Sequence, residues 1–123
     1  MMLTNIYLTP FTRFTLKPGY NDLASCNTLK AGKDYYVRFW VIVSGPGTVK
    51  ISCGDETTFT QDGQYIGQYH PSTNVMKIAM KVVSGSPTVQ VADFTVCEDY
   101  ASTKQALDSL GISRFRGDTM PLA

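Results

Sequence analysis

The chain has 123 residues, of which 17% are charged, and its formal net charge at pH 7 is +1. This length supports one globular domain with a single core, and the charged fraction lies below the quarter that is usual for such domains. The basic residues are scattered, which argues against nucleic acid as the main partner, and no apolar run approaches the roughly 20 residues that a membrane helix needs.

The N-terminal part of the chain predicts short strands at the edge of a sheet. Segments 3–8 and 11–16 alternate loosely, and each ends close to a proline, which confines strands to edges. No basic segment precedes an apolar one, so we expect no signal peptide. Segment 21–29 predicts another strand, with Leu23 and Leu29 facing inward.

The strongest strand signal is the run 35–43, YYVRFWVIV. Its odd positions are all apolar, whereas its even positions include Tyr36, Arg38 and Trp40. Strand side chains alternate between two faces, so we predict a central antiparallel strand with one face in the core and the other only partly dry. Turn-forming residues flank the run on both sides.

The following segments complete the predicted sheets. Strands are expected at 48–53, 57–60, 64–69, 75–83 and 88–97, separated by turns that contain glycine or proline. Roughly eight strands at this spacing are typical of an antiparallel β-sandwich or jelly roll. In the last strand the apolar positions change parity near Ala92 and Asp93, which predicts a β-bulge.

The composition changes after the last strand, and we divide the chain into a sandwich, 1–98, and a C-terminal segment, 99–123. Ser102 as N-cap, Gln105 in the capping-box position and Gly111 as the stop predict one short helix. Such a helix is too short to be stable alone, so it must dock on the sandwich or on a partner. An extended tail without periodicity follows.

Little in the sequence supports catalysis, and we predict that the protein is not an enzyme. The single histidine, His70, lies in a polar loop without a nucleophile placed beside it. The acidic pairs 55–56 and 98–99 lie at element ends, and no glycine-rich phosphate loop is present in the sequence. The Arg-Gly-Asp triplet at 116–118 is a three-residue match and carries little weight.

The three cysteines Cys26, Cys53 and Cys97 cannot all pair within one chain. They lack the CxxC spacing that is typical of a zinc site, so no bound metal is predicted from them. We expect buried, reduced thiols that act as small apolar side chains.

The outer face of the central strand predicts a binding surface. Tyr36 and Trp40 share this face about 13 Å apart, with Arg38 between them. Aromatic rings of this kind cover the apolar face of a pyranose while a charged group bonds its hydroxyls, so the pattern indicates glycan binding. The alternative is that the face is covered by the N-terminal arm, by Tyr65 and Tyr69, or by another subunit.

Residues 29–98 resemble jelly-roll carbohydrate-binding modules. TLKAGKDYYVRFWVIVSGPGTVKIS has the family's Leu-x-x-Gly-x-x-Tyr turn ahead of a long strand, and SPTVQVADFTVCE resembles its closing strand. The resemblance implies an all-β antiparallel jelly roll. It also implies a structural calcium, for which Asp93 is the one acid in the matching position, although partner acids near the N-terminus are not evident.

The C-terminal segment LDSLGISRFRGDTMPLA, residues 107–123, is similar to a segment of bacteriophage tail-fibre proteins. In that family a Leu-Gly-hydrophobic helix end is followed by Gly-Asp-Thr-Met and a small-Pro-Leu run, and residues 117–120 match the Gly-Asp-Thr-Met part. The usual threonine and glycine before the proline are missing, and the chain stops where a fibre would continue. We interpret this departure as a docking arm.

These resemblances imply a bacteriophage virion structural protein, tail- or fibre-associated or decorating the capsid, which assembles in the host cytoplasm. Its partners would be further copies of itself and other virion proteins, with a cell-surface glycan bound by the sandwich. The docking side chains are predicted to be apolar residues of the helix and tail: Leu107, Leu110, Ile112, Phe115, Met120 and Leu122. The alternative is a free-standing carbohydrate-binding module or lectin, for which the tail would be incidental.

Overall fold

The computed structural model describes residues 2–7, 13–23, 26–112 and 119–121, which form ten strands and one helix. The strands are β1 (Met2–Thr4), β2 (Phe14–Thr15), β3 (Gly19–Leu23), β4 (Tyr35–Ser44), β5 (Gly47–Cys53), β6 (Asp55–Phe59), β7 (Gly63–Tyr69), β8 (Met76–Gly85), β9 (Thr88–Glu98) and β10 (Thr119–Pro121). The helix, α1 (Tyr100–Ser109), follows β9 directly.

Eight of these strands form two four-stranded antiparallel sheets. The first sheet has the order β2-β9-β4-β7 and the second has the order β3-β8-β5-β6. The chain passes back and forth between the sheets, so that the last strand of each lies between earlier ones, which is the arrangement of a jelly roll. The predicted all-β antiparallel sandwich with one short C-terminal helix is confirmed.

The core lies between the two sheets and takes side chains from both. The ring of Phe39 on β4 stacks on Tyr65, with ring centroids 4.6 Å apart, and the ring of Phe94 lies 5.2 Å from Phe39. Burial of such apolar surface is the main stabilising contribution to a fold of this size. The second sheet contributes alternate residues of β5 and β8: Val49, Ile51, Cys53, Met76, Ile78 and Met80.

The predicted β-bulge is present where β9 passes β4. Arg38 and Trp40 are two residues apart, but their partners in β9 are three residues apart. Asp93 absorbs the extra residue with a φ of +56°, in the left-handed region that non-glycine residues rarely adopt. The bulge restores the inward orientation of Phe94, which is 1% exposed.

The N-terminal segment closes an open stretch of the β9 edge. The Asn5 side chain donates from Nδ2 to the Phe94 carbonyl (2.8 Å) and accepts at Oδ1 from the Val96 N–H (2.9 Å). The Ile6 N–H donates to the Val96 carbonyl (2.8 Å), and the ring of Tyr7 stacks on Phe94 at 4.2 Å. The amide of Asn5 thus replaces a neighbouring strand and satisfies backbone groups that would otherwise be unpaired.

Strand β3 differs from its predicted position. It occupies Gly19–Leu23 rather than 21–29, because the Asn21 side chain closes a turn onto the backbone of Lys17 at 2.8 and 2.9 Å. Both side chains that were predicted to face inward, Leu23 and Leu29, are 3% exposed. Leu29, however, lies in the irregular segment before β4.

The helix also begins earlier than the sequence predicts. Asp99, not Ser102, is the N-cap, and the Ser102 hydroxyl donates to Oδ2 of Asp99 at 2.8 Å. The predicted stop at Gly111 is confirmed, with a φ of +70°. The Gly111 N–H donates to the Asp108 carbonyl and the Ile112 N–H to the Leu107 carbonyl, which together form a Schellman motif.

Candidate functional site

The outer face of the first sheet carries the residues that were predicted to bind glycan. Tyr36 is 1% exposed and Arg38 is 4% exposed, whereas Trp40 is partly exposed. The prediction of an open aromatic face is therefore corrected for Tyr36 and Arg38, since neither side chain reaches the surface. Helix α1 covers Tyr36, and this cover was not among the alternatives that the sequence suggested for the face.

Helix α1 lies over the Tyr36 end of this face and forms a second, smaller apolar cluster. Tyr36, Cys97 and Leu107 are each 1% exposed there, and Tyr100 packs its ring 6.1 Å from that of Tyr36. Desolvation in this cluster raises the pKa of the Tyr36 hydroxyl. Ile66 and Ala106 complete the packing.

The first turn of α1 is fixed by polar contacts to the sheet. The Asp34 carboxylate accepts from the Tyr100 N–H (3.2 Å) and from Nε2 of Gln68 (3.0 Å) through the same oxygen. The hydroxyl of Thr103, which is fully buried, donates to the Glu98 carbonyl at 3.1 Å. These contacts orient the helix across the sheet, so α1 behaves as part of the sandwich.

The buried side chain of Arg38 bonds to two other residues of the first sheet. Its Nε donates to Oε1 of Gln64 (2.5 Å) and its Nη1 donates to the Asp93 carbonyl (2.9 Å). The guanidinium thus supports the backbone of the β-bulge, where the left-handed residue needs a partner for its carbonyl. This is a structural use of a charge that the sequence suggested for ligand binding.

The calcium that the family resemblance implies would need further oxygen ligands beside Asp93. Calcium takes six to eight oxygen ligands, usually with several carboxylates among them. In the described ranges, no three His, Cys, Asp or Glu side chains are grouped closely enough to hold a metal ion.

The predicted docking residues of the helix fall into two groups. Leu107 packs inside the α1 cluster and is therefore not available to a partner in this arrangement. Leu110 is 54% exposed and Ile112 is 39% exposed, and both lie where the chain leaves the helix. The exposed pair remains available for docking.

Of the extended tail that was predicted after the helix, residues 119–121 lie within the described ranges. Residues 119–121 form β10, which pairs antiparallel with β1 so that Met120 lies opposite Leu3. This ribbon is a separate two-stranded sheet and belongs to neither four-stranded sheet. Phe115 and Leu122 lie outside the described residues, and docking through the tail stays a prediction.

A second candidate site lies on the outer face of the second sheet, where the sequence suggested none. It is a groove of about 500 Å³ floored by Ala79 and Ser52 and flanked by Tyr20 and Glu56. Tyr20 is 82% exposed, the largest exposed fraction among the large hydrophobic residues described. The alternation of apolar and polar residues in β8 places Lys81 on this face, and that pattern can be read from the sequence. Tyr20 was missed because its strand was predicted to begin at residue 21.

The candidate catalytic groups occupy surface or turn positions. His70 is exposed after β7. Asp55 accepts the Gln68 N–H at 3.0 Å, and Glu98 forms an ion pair with Lys33. These carboxylates have structural partners, and the expectation that the protein is not an enzyme stays a prediction.

Neither a known protein-family model nor a curated protein matches this sequence. Across the described ranges, no helix has the length and apolar character that crossing a membrane requires.

Proposed function

We propose that this chain is a structural protein of a bacteriophage virion and that its C-terminal segment attaches it to neighbouring subunits. The supporting observation is the position of β10, which lies outside both four-stranded sheets and pairs with β1 over three residues. A two-stranded ribbon of this length is at best marginally stable in water. A strand of a neighbouring subunit could therefore replace either half of the ribbon at little cost.

The exposed end of α1 supports the same proposal. Leu110 and Ile112 are exposed apolar side chains at the point where the chain continues from the end of α1 into the tail. Exposed apolar side chains and a pairable strand are the two elements that strand-addition interfaces use, since backbone bonds supply affinity and side chains supply specificity. The similarity of 107–123 to tail-fibre segments favours a virion setting for such an interface.

The main core of the sandwich contains no described residue of the tail that follows α1. Every described member of the main core cluster precedes Cys97, so the two sheets can close without the tail. This separation of a self-contained body from a terminal segment suits a protein that folds before it joins a particle.

Truncation after Ile112 tests the proposal. Ile112 is retained because its N–H completes the C-terminal cap of α1, so the shortened chain keeps the whole helix. We expect the truncated protein to melt close to the full chain and to lose co-sedimentation with particles assembled from the other virion proteins. Tyr20→Ala, on the opposite sheet, is the matched control that should still co-sediment.

A double variant, Leu110→Ser with Ile112→Ser, tests the exposed pair separately. It leaves β10 in place and removes only apolar contact, so we expect weaker but measurable attachment. Full attachment of the truncated chain would contradict the proposal, since the docking surface would then lie on the sandwich itself.

A free-standing glycan-binding module is the second candidate, and the exposed Tyr20 in its groove favours it. The same truncation separates the two, because glycan binding by the sandwich would be unchanged in a chain that no longer joins particles. Trp40 remains partly exposed on the first sheet, whereas Tyr36 and Arg38 are buried.

A further inference from the structure

The groove on the second sheet has an aromatic residue, Tyr20, on one side and an acidic residue, Glu56, on the other. The strand register places Tyr20 opposite Ala79, Ala79 opposite Ser52 and Ser52 opposite Glu56, in one row across the four strands. Neighbouring strands lie about 4.8 Å apart, so the row spans roughly 14 Å. The two small side chains in its middle leave a space of about 500 Å³.

The next row along the strands carries an excess of positive charge. Lys50 on β5 and Lys81 on β8 lie directly opposite each other, an arrangement that like charges disfavour. The Lys50 ammonium is 3.8 Å from Glu56, whereas Lys81 forms no ion pair with any residue in the described ranges. Of the two opposed lysines, Lys81 therefore lacks a described ion pair and is also repelled by Lys50, and an anionic group bound there would relieve the repulsion.

The ring of Tyr20 is placed to hold a flat ligand next to that charge. Its side chain is 82% exposed and does not belong to either apolar cluster, so packing does not explain an aromatic residue here. Lys81 is its diagonal neighbour across the strand pair, about 7–8 Å away. A ring stacked on Tyr20 would thus hold its substituents within reach of the Lys81 ammonium.

We propose that this groove, lined by Tyr20, Ser52, Glu56, Ala79 and the two lysines, binds an acidic polysaccharide. Tyr20 covers the apolar face of a pyranose, and Lys50 and Lys81 contact its carboxylate or sulfate. An acidic peptide would match the charge, but a flat aromatic wall over a floor of small residues favours a ring-shaped ligand. The proposal rests on the second candidate function, glycan binding by the sandwich, and places the site on the second sheet.

The test compares four probes: dextran sulfate, alginate, uncharged dextran and polyglutamate. We expect the protein to bind the first two in calorimetry or affinity electrophoresis and to bind neither dextran nor polyglutamate appreciably. Binding should weaken as salt is raised, because exposed charges are screened.

Variants then assign the contacts. Tyr20→Ala should weaken binding about tenfold or more, as truncation of a central aromatic contact does, while Tyr20→Trp should retain it. Lys81→Gln should weaken binding and flatten its salt dependence. Lys30→Gln is the matched control, because it removes the same charge from an exposed turn outside the groove and should leave binding unchanged.

The proposal would be overturned if the protein bound polyglutamate or uncharged dextran as tightly as the acidic polysaccharides. It would also be overturned if the protein bound neither dextran sulfate nor alginate. Unchanged binding by Tyr20→Ala, at an unchanged melting temperature, would also overturn it. The chain truncated after Ile112 keeps the groove and should bind normally. Loss of particle attachment and loss of polysaccharide binding therefore report on separate proposals.

Discussion

Replacement of Leu107 by alanine tests whether α1 belongs to the sandwich or is held ready for a partner. The Leu107 side chain is 1% exposed and packs on Tyr36 and Cys97. Truncating a buried leucine to alanine costs about 2–5 kcal/mol of the free energy of unfolding. Because this cluster is small and its neighbours can relax, we expect a loss near the lower end, about 2–3 kcal/mol.

The measurement is urea unfolding followed by the fluorescence of Trp40, the one tryptophan of the chain. Leu110→Ala is the matched control, since Leu110 lies three residues further along the chain, at the C-cap of α1, and is 54% exposed. That control should change the free energy of unfolding by less than about 0.5 kcal/mol. Amide hydrogen exchange across α1 shows whether the loss appears as local detachment of the helix or as global unfolding.

Equal stability of Leu107→Ala and Leu110→Ala, with unchanged exchange in α1, would refute the packing of Leu107 on Tyr36. The sequence-based prediction that Leu107 is a docking side chain would then regain its force. It would also reopen the face that carries Tyr36 to a ligand.

Three further predictions follow from single contacts. Asn5→Ala leaves two backbone groups of the β9 edge without their partner and should lower the free energy of unfolding by about 2 kcal/mol in urea, whereas the exposed Asn27→Ala should not. Gly111→Ala should cost about 1 kcal/mol by thermal melting, from the positive φ alone, because an added Cβ meets nothing within 4 Å; a neutral result would contradict the helix cap. Burial raises the pKa of the Cys26 and Cys97 thiols from 9.0 to about 12, so the folded state keeps protons that the unfolded state releases. Stability should therefore fall as pH rises from 9 to 12, and thiol reagents below pH 9 should label these cysteines only on unfolding.

The sequence predicted correctly those elements whose position depends on a local pattern of residues. The run 35–43 became β4 (Tyr35–Ser44) because period-two patterning and flanking turns agree over its whole length. The bulge at Asp93 was predictable because a one-residue insertion inverts the parity of every apolar position after it. The Gly111 stop followed from the tolerance of glycine for a left-handed backbone.

The burial of Tyr36 was not predictable from such patterns. Alternation shows that its side chain leaves the main core, but the element that covers it lies more than 60 residues later in the chain. The helix start was missed because Asp99 and Ser102 are both good N-cap residues, and the contacts of Asp34 favour the earlier one. The Tyr20 groove requires four strands to be in register, which no single segment encodes.

The pairing of the two described ends has a mechanical consequence. Met2 lies opposite Pro121, so the outermost residues of the ribbon stand at the same end of it. A pulling force applied there would separate the three residue pairs one after another, like a zipper, and would not shear them together. Tension would reach the Asn5 amide and the β9 edge only after the ribbon had opened. The ribbon would therefore separate first under load, and the two four-stranded sheets would stay closed.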